Sequence, residues 1–190
     1  INLPNDQTIR EQYGSKSVSL SNVNEAYEEA TPEGLRQEFC WSAEEIARAK
    51  RYGAFANELS TELHEVIGHG SGRMAEAVAQ PPHLLLREQY SALEETRADL
   101  VALYFLADPK LVELGVVAAD DHAEVVRCEY EYYARNALVQ LRRVREGTQI
   151  EEDHMRNRQL IVHWLRAHTT AIDVRRHGPR TVSHTAWPTA

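Results

Sequence analysis

His64-Glu65-Val66-Ile67-Gly68-His69 is the stretch on which the reading of this chain turns. Neutral imidazoles are good zinc ligands, and a glutamate beside the first is placed to act as a general base on water that the metal polarises. The plain alternative is two histidines on the surface or core side of a helix. In the common His-Glu-x-x-His pattern the histidines sit four apart and share a helix face. Here they sit five apart, which on a regular 3.6-residue helix turns them about 140° from each other. Both can reach one ion only if the helix absorbs an extra residue, as in a one-residue π-bulge. Gly68, just before the second histidine, leaves room for that distortion.

Two histidines do not fill a catalytic zinc site, which normally has three protein ligands and an open position. The candidate third ligand lies in Glu94-Glu95-Thr96-Arg97-Ala98-Asp99. Glu95 and Asp99 are one helical turn apart and share a face. One can bind the ion while the other accepts a hydrogen bond from a ligand histidine and fixes its tautomer. A Glu-Glu pair by itself reads as a solvated helix face. Its setting between Leu93 and Leu100 counts against that reading.

Outward from these motifs the pattern is helical. Ser42 and Glu45 form a capping box that starts a helix near Ala43, and Gly53 is a candidate bend. A second helical stretch runs over roughly 55–69. Helices are expected over about 85–107 and about 121–146, with Asp108-Pro109 and Gly115 bounding a short one between them. Thr148 and Glu151 form another capping box, for a helix reaching about His168. Residues 1–24 hold no helical pattern, and Val18 and Leu20 suggest a short strand. The tail from Arg175 to Ala190, with Pro179 and Pro188, shows no periodicity, and residues 171–190 are expected to be disordered. The expected fold is mainly α, with an extended/β segment over 1–24, a helical lobe over 25–170 and a disordered tail over 171–190.

The 190 residues suit one domain, with 43% hydrophobic and 26% charged residues. A net charge of −8 makes nucleic acid or an anionic membrane an unsuitable partner. No apolar run is long enough to span a bilayer, and no signal peptide opens the chain. Cys40 and Cys128 alone make no disulfide framework, which fits a reducing, cytoplasmic setting. The chain opens on Ile1 rather than Met, as a processed protein or a piece of a longer one would.

The His-Glu-x-x-Gly-His motif followed by Glu-Glu-x-Arg-Ala-acidic resembles the dipeptidyl peptidase III family, the M49 zinc metallopeptidases. The likeness extends to Ile1-Asn2-Leu3-Pro4-Asn5, Val18-Ser19-Leu20, Gly68-His69-Gly70-Ser71-Gly72 and Glu152-Asp153-His154-Met155-Arg156, and covers roughly residues 1–166. It implies one zinc ion on His64, His69 and Glu95, with Glu65 as general base and Glu94 and Asp99 as hydrogen-bond partners of the histidines. Asp99 departs from the glutamate of the eukaryotic pattern and is one methylene shorter, which strains its reach to an imidazole. Thr96 stands where some relatives carry cysteine. His154 aligns with a histidine that stabilises the transition state, and Arg158 with a cleft arginine. Asn2 and Asn5 resemble asparagines that hold the peptide substrate.

The implied activity is release of dipeptides from the N-terminus of short peptides. The resemblance also implies a second lobe that supplies a catalytic tyrosine and a glutamate anchoring the substrate amine. Neither residue is assignable in this chain. Two rival readings therefore stand beside the exopeptidase: a zinc-binding lobe inactive without its partner lobe, and a zinc endopeptidase of other specificity.

Overall fold

The structure is a computed structural model that describes residues 2–3, 7–14, 16–17, 22–23, 26, 30, 32–78, 80–144, 149–150, 152–178 and 180–185. Strand β1 (Asn2–Leu3) pairs antiparallel with β2 (Lys16–Ser17), with Asn2 opposite Ser17. Between them lies helix α1 (Gln7–Tyr13), in a region read from the sequence as free of helix. Its seven residues are too few for the period of an amphipathic stripe to show. The proposed strand at Val18-Ser19-Leu20 lies outside the described residues.

The helical body follows. Helix α2 (Glu33–Phe39) leads through Cys40 to α3 (Ala43–Leu63). Ser42 caps α3 as expected, its hydroxyl accepting from the Glu45 amide at 3.3 Å. Only half of the capping box forms, because the Glu45 carboxylate accepts from the Trp41 amide at 2.7 Å and pairs with buried Arg135. Helix α3 continues unbroken through Gly53, so the two helical stretches read from the sequence are one helix. It passes without a break into a π-helical turn, His64–His69.

Helix α4 (Pro82–Leu86) and a 3-10 turn (Arg87–Gln89) precede α5 (Tyr90–Leu106), which starts five residues later than the sequence suggested. Arg87, with φ 51°, is where the chain reorients. Helix α6 (Lys110–Glu113) sits between Asp108 and Gly115 as expected, and the Asp108 carboxylate accepts from the Lys110 amide at 2.8 Å. Helix α7 (Ala119–Leu141) is the central helix. Helix α8 (Asp153–His168) is capped by Glu152, whose carboxylate accepts from the His154 and Met155 amides. Thr148 and Glu151, the expected cap, lie outside the described residues.

One apolar cluster joins Ala56, Leu59 and Leu63 of α3 to Ala102 and Leu106 of α5 and Val125 and Val126 of α7. A second joins Tyr133, Ala134 and Ala137 of α7 to Ile161 and Val162 of α8. Each large aliphatic side chain taken out of water here contributes about 1.5–3 kcal/mol. Small residues face the helix contacts of α5: Ala92, Ala98 and Ala102 are buried, whereas Leu93 and Leu100 are exposed. The apolar setting read from Leu93 and Leu100 is therefore not a buried one.

The expected disorder after residue 170 is overturned for residues 172–177 and 180–185. Strands β3 (Ile172–His177) and β4 (Arg180–Thr185) form an antiparallel hairpin, with Ile172 opposite Thr185 and His177 opposite Arg180. Ile172 and Val182 are buried, and β4 packs against α7 and α2. Burial of the apolar face holds the hairpin, and Gly178 with φ 62° permits its turn.

Candidate metal centre

The π-helical turn lets the two histidines meet. Their rings stand edge to face with centroids 4.6 Å apart, instead of pointing to different sides of a regular helix. The turn is pressed against α5 at Gly68, where an added Cβ would lie 2.9 Å from Cα, Cβ and O of Ala98. Only glycine allows that approach, and it brings the acidic motif of α5 within reach of both imidazoles.

Glu95 points between them. Its Oε2 is 3.1 Å from His64 Nε2 and 3.5 Å from His69 Nε2. Three donors each about 2.0–2.1 Å from one tetrahedral zinc stand about 3.3 Å from one another. The two measured separations bracket that value, and the three ligand atoms all lie within 4.8 Å of one another. Glu95 Oε2 is buried and accepts no hydrogen bond of good geometry among the described residues. The donor set of two imidazole nitrogens and one carboxylate oxygen suits zinc.

The outer imidazole nitrogens are both occupied. His64 Nδ1 lies 2.7 Å from Asp99 Oδ1, and His69 Nδ1 lies 3.1 Å from Glu94 Oε1. A carboxylate at Nδ1 fixes the tautomer that keeps the proton there and turns the Nε2 lone pair inward. Asp99 therefore reaches its histidine despite the missing methylene, because Gly68 lets the two helices come closer. Arg97 braces Glu94 with two hydrogen bonds, of 2.9 and 2.5 Å. Thr96 is buried, and its hydroxyl donates to the Ala92 carbonyl.

The electrostatics favour a cation. Burial opposes a charged His64, but the carboxylates of Asp99 and Glu95 outweigh it and push its pKa up to about 9. Glu94 and Glu95 push His69 up to about 9 against its burial. Burial likewise opposes ionisation of Glu94, yet Arg97 and His69 hold it down at about 2. Glu95 is held far below the usual carboxylate range by the imidazoles facing it, again against its burial. Positive charge is wanted at the centre of this cluster, and a metal ion supplies it in place of protons.

His154, from the first turn of α8, sits over the same carboxylate. Its Nδ1 is 3.4 Å from Glu95 Oε2, and its ring centroid is 6.3 Å from that of His64. Glu65, His154 and Arg158 line one cleft with His64, Asp99 and Tyr133. The Arg158 guanidinium lies over the Tyr133 ring, 4.9 Å from its centroid. Asn2 belongs to β1, which runs beside the π-helical turn; its side chain and the whole of Asn5 lie outside the described residues.

The structure adds residues that the sequence reading did not single out. Tyr133 and Asn157 both donate to Asp99 Oδ2. Glu129 of α7 is buried at the cleft wall. Asn157 stands one turn after His154, a spacing that could have flagged it; Tyr133 and Glu129 carry no such signal.

Comparisons with known proteins place the chain in a family. Peptidase family M49 matches residues 1–82 and 80–182. Dipeptidyl peptidase 3 of Nematostella vectensis is 37% identical over 75 residues, 39% of this chain and 10% of that protein. Dipeptidyl peptidase 3 of Mus musculus is 26% identical over 193 residues, covering 87% of this chain and 26% of that protein. The solved structure of DPP III from Caldithrix abyssi superposes with a TM-score of 0.66 over 95% of this chain, at 24% identity. That superposition, which speaks for the fold, takes in 32% of the solved chain.

Proposed function

The chain belongs to peptidase family M49, and from that premise we propose that it forms the zinc-binding lobe of an exopeptidase releasing dipeptides from the N-terminus of short peptides. The observation that carries the proposal is the convergence of one ligand atom each from His64, His69 and Glu95 within 4.8 Å of one another, with His64 also lining a cleft beside Glu65 and His154. A zinc ion on these three ligands supplies a Lewis acid that polarises water and the scissile carbonyl.

Glu65 is the general base. It takes the proton from the attacking water and passes it to the leaving amine. Asp99 and Glu94 hold the two imidazoles with Nε2 inward. The His154 ring donates a hydrogen bond to the oxyanion as charge develops there. Arg158 lines the wall of the cleft, and Asn2 and Asn5 hold the peptide's backbone and its N-terminal end. Dipeptide release needs a group that anchors the substrate amine, which this reading assigns to a second lobe.

The chain spans 26% of the mouse relative and 32% of the solved chain. That share favours a second reading for the 190 residues alone: a lobe that binds zinc but turns nothing over. No described helix is long and apolar enough to cross a membrane. Cys40 and Cys128 are free, buried thiols whose burial pushes their pKa up to about 12, as expected of inert cysteines.

Turnover of a dipeptidyl-naphthylamide by the zinc-loaded full-length protein tests the exopeptidase reading. The same assay on the 190-residue chain tests whether the lobe works alone. Equal cleavage of an N-terminally blocked peptide would replace the exopeptidase with an endopeptidase.

A further inference from the structure

Asp99 takes three hydrogen bonds from three other segments of the chain. Its Oδ1 faces His64 Nδ1 at 2.7 Å. Its Oδ2 accepts from the Tyr133 hydroxyl of α7 at 2.7 Å and from Asn157 Nδ2 of α8 at 3.0 Å. Tyr133 is 6% exposed and Asn157 fully buried, so neither donor has water as an alternative partner. Four segments thus meet on one carboxylate: the π-helical turn, α5, α7 and α8.

An aspartate held through one oxygen can swing about its Cβ–Cγ bond and carry the imidazole with it. Two donors on the far oxygen remove that freedom, because any rotation breaks at least one charge-assisted hydrogen bond. Asn157 has a second consequence. It lies three residues from His154 on the same helix, so its bond to Asp99 also sets where α8 places the His154 ring above Glu95.

We propose that Tyr133 and Asn157 are positioning residues for the metal centre: acting through Asp99, they fix the His64 imidazole with Nε2 toward Glu95, and Asn157 fixes His154 over the same point. The proposal rests on the zinc-site reading above and adds to it residues that touch neither metal nor substrate. Residues that hold a ligand's partner typically change metal affinity or activity by about 10–100-fold when altered.

A double-mutant cycle on the full-length protein separates positioning from general support of the fold. Zinc affinity is measured by competition with a chelator for the unaltered protein, Tyr133→Phe, Asp99→Ala and the double variant. Thermal unfolding of the metal-free forms is followed alongside. Tyr133→Phe is expected to weaken zinc binding about tenfold or more, and to have no further effect once Asp99 is alanine. Asn157→Asp, which sets a second carboxylate against Asp99, is expected to weaken zinc and to lower kcat with KM little changed. Zinc affinity unchanged in Tyr133→Phe, or a loss of equal size in the Asp99→Ala background, would overturn the proposal while leaving the metal site standing. Unchanged zinc affinity in Asp99→Ala, or no zinc bound by the unaltered protein, would overturn the site reading and this proposal with it.

Discussion

Gly68 backs directly onto Ala98: a methyl group at position 68 would stand 2.9 Å from Cα, Cβ and O of Ala98. This contact sets the distance between the histidine-bearing turn and the acidic helix. Gly68→Ala is therefore expected to force the two apart, to destabilise the fold by about 1–3 kcal/mol and to weaken zinc binding. Chemical denaturation and a zinc titration of the same variant check both effects.

Glu65 and Glu95 are to be told apart by what each substitution removes. Glu65→Gln deletes a base and no ligand. Zinc content should stay stoichiometric while turnover of the full-length protein falls by about 10²–10⁴-fold. Glu95→Gln deletes the charged ligand and should lose the metal first. Metal analysis after dialysis, paired with the peptidase assay, distinguishes them. Zinc loss in Glu65→Gln would make Glu65 a ligand.

His154 stands 3.4 Å from Glu95 Oε2. Its proposed action is on charge that exists only in the transition state. His154→Phe should lower kcat by about a hundredfold or more, with little change in zinc affinity. Equal losses of zinc and of turnover would point instead to a ligand role.

Much of this site was legible in the sequence because five-residue spacing leaves histidines few ways to meet. The π-helical turn at His64–His69 follows from that constraint and from the glycine before His69. The paired acidic motif on the next helix was legible for the same reason: a ligand set has to be completed. The core face of α5 was not. Leu93 and Leu100 look like core residues, but close helix contact selects the small Ala98 and Ala102. The hairpin at the C-terminal end was missed although Ile172 and Val174 alternate with Asp173 and Arg175, and Gly178-Pro179 is a turn dipeptide. Tyr133 was invisible because only the packing of α7 brings it to Asp99, and Asn157 left no sign beyond its spacing from His154.

Glu129 gives the pH dependence its clearest handle. Burial raises its pKa to about 8, although Ser60 and Arg158 partly oppose the shift. The folded pKa exceeds the unfolded value of about 4.3, so the fold favours the protonated acid. Stability is then lost as pH rises from that value to about 8, and the loss levels off above it. Raised values at His64 and His69 give the metal-free protein a parallel loss up to about pH 9, so the comparison belongs in the zinc-loaded protein. There, Glu129→Gln should unfold at a higher temperature than the unaltered protein at pH 9, with a much smaller difference at pH 5.

Zinc K-edge X-ray absorption on the zinc-loaded protein is the sharpest test of the ligand set His64, His69 and Glu95. That set requires one zinc per chain, with two imidazole nitrogens and light oxygen donors at about 2.0–2.2 Å, and loss of the metal or of one of those oxygens in Glu95→Ala. Zinc bound with fewer than two imidazoles, or an unchanged spectrum and occupancy after Glu95→Ala, would contradict it.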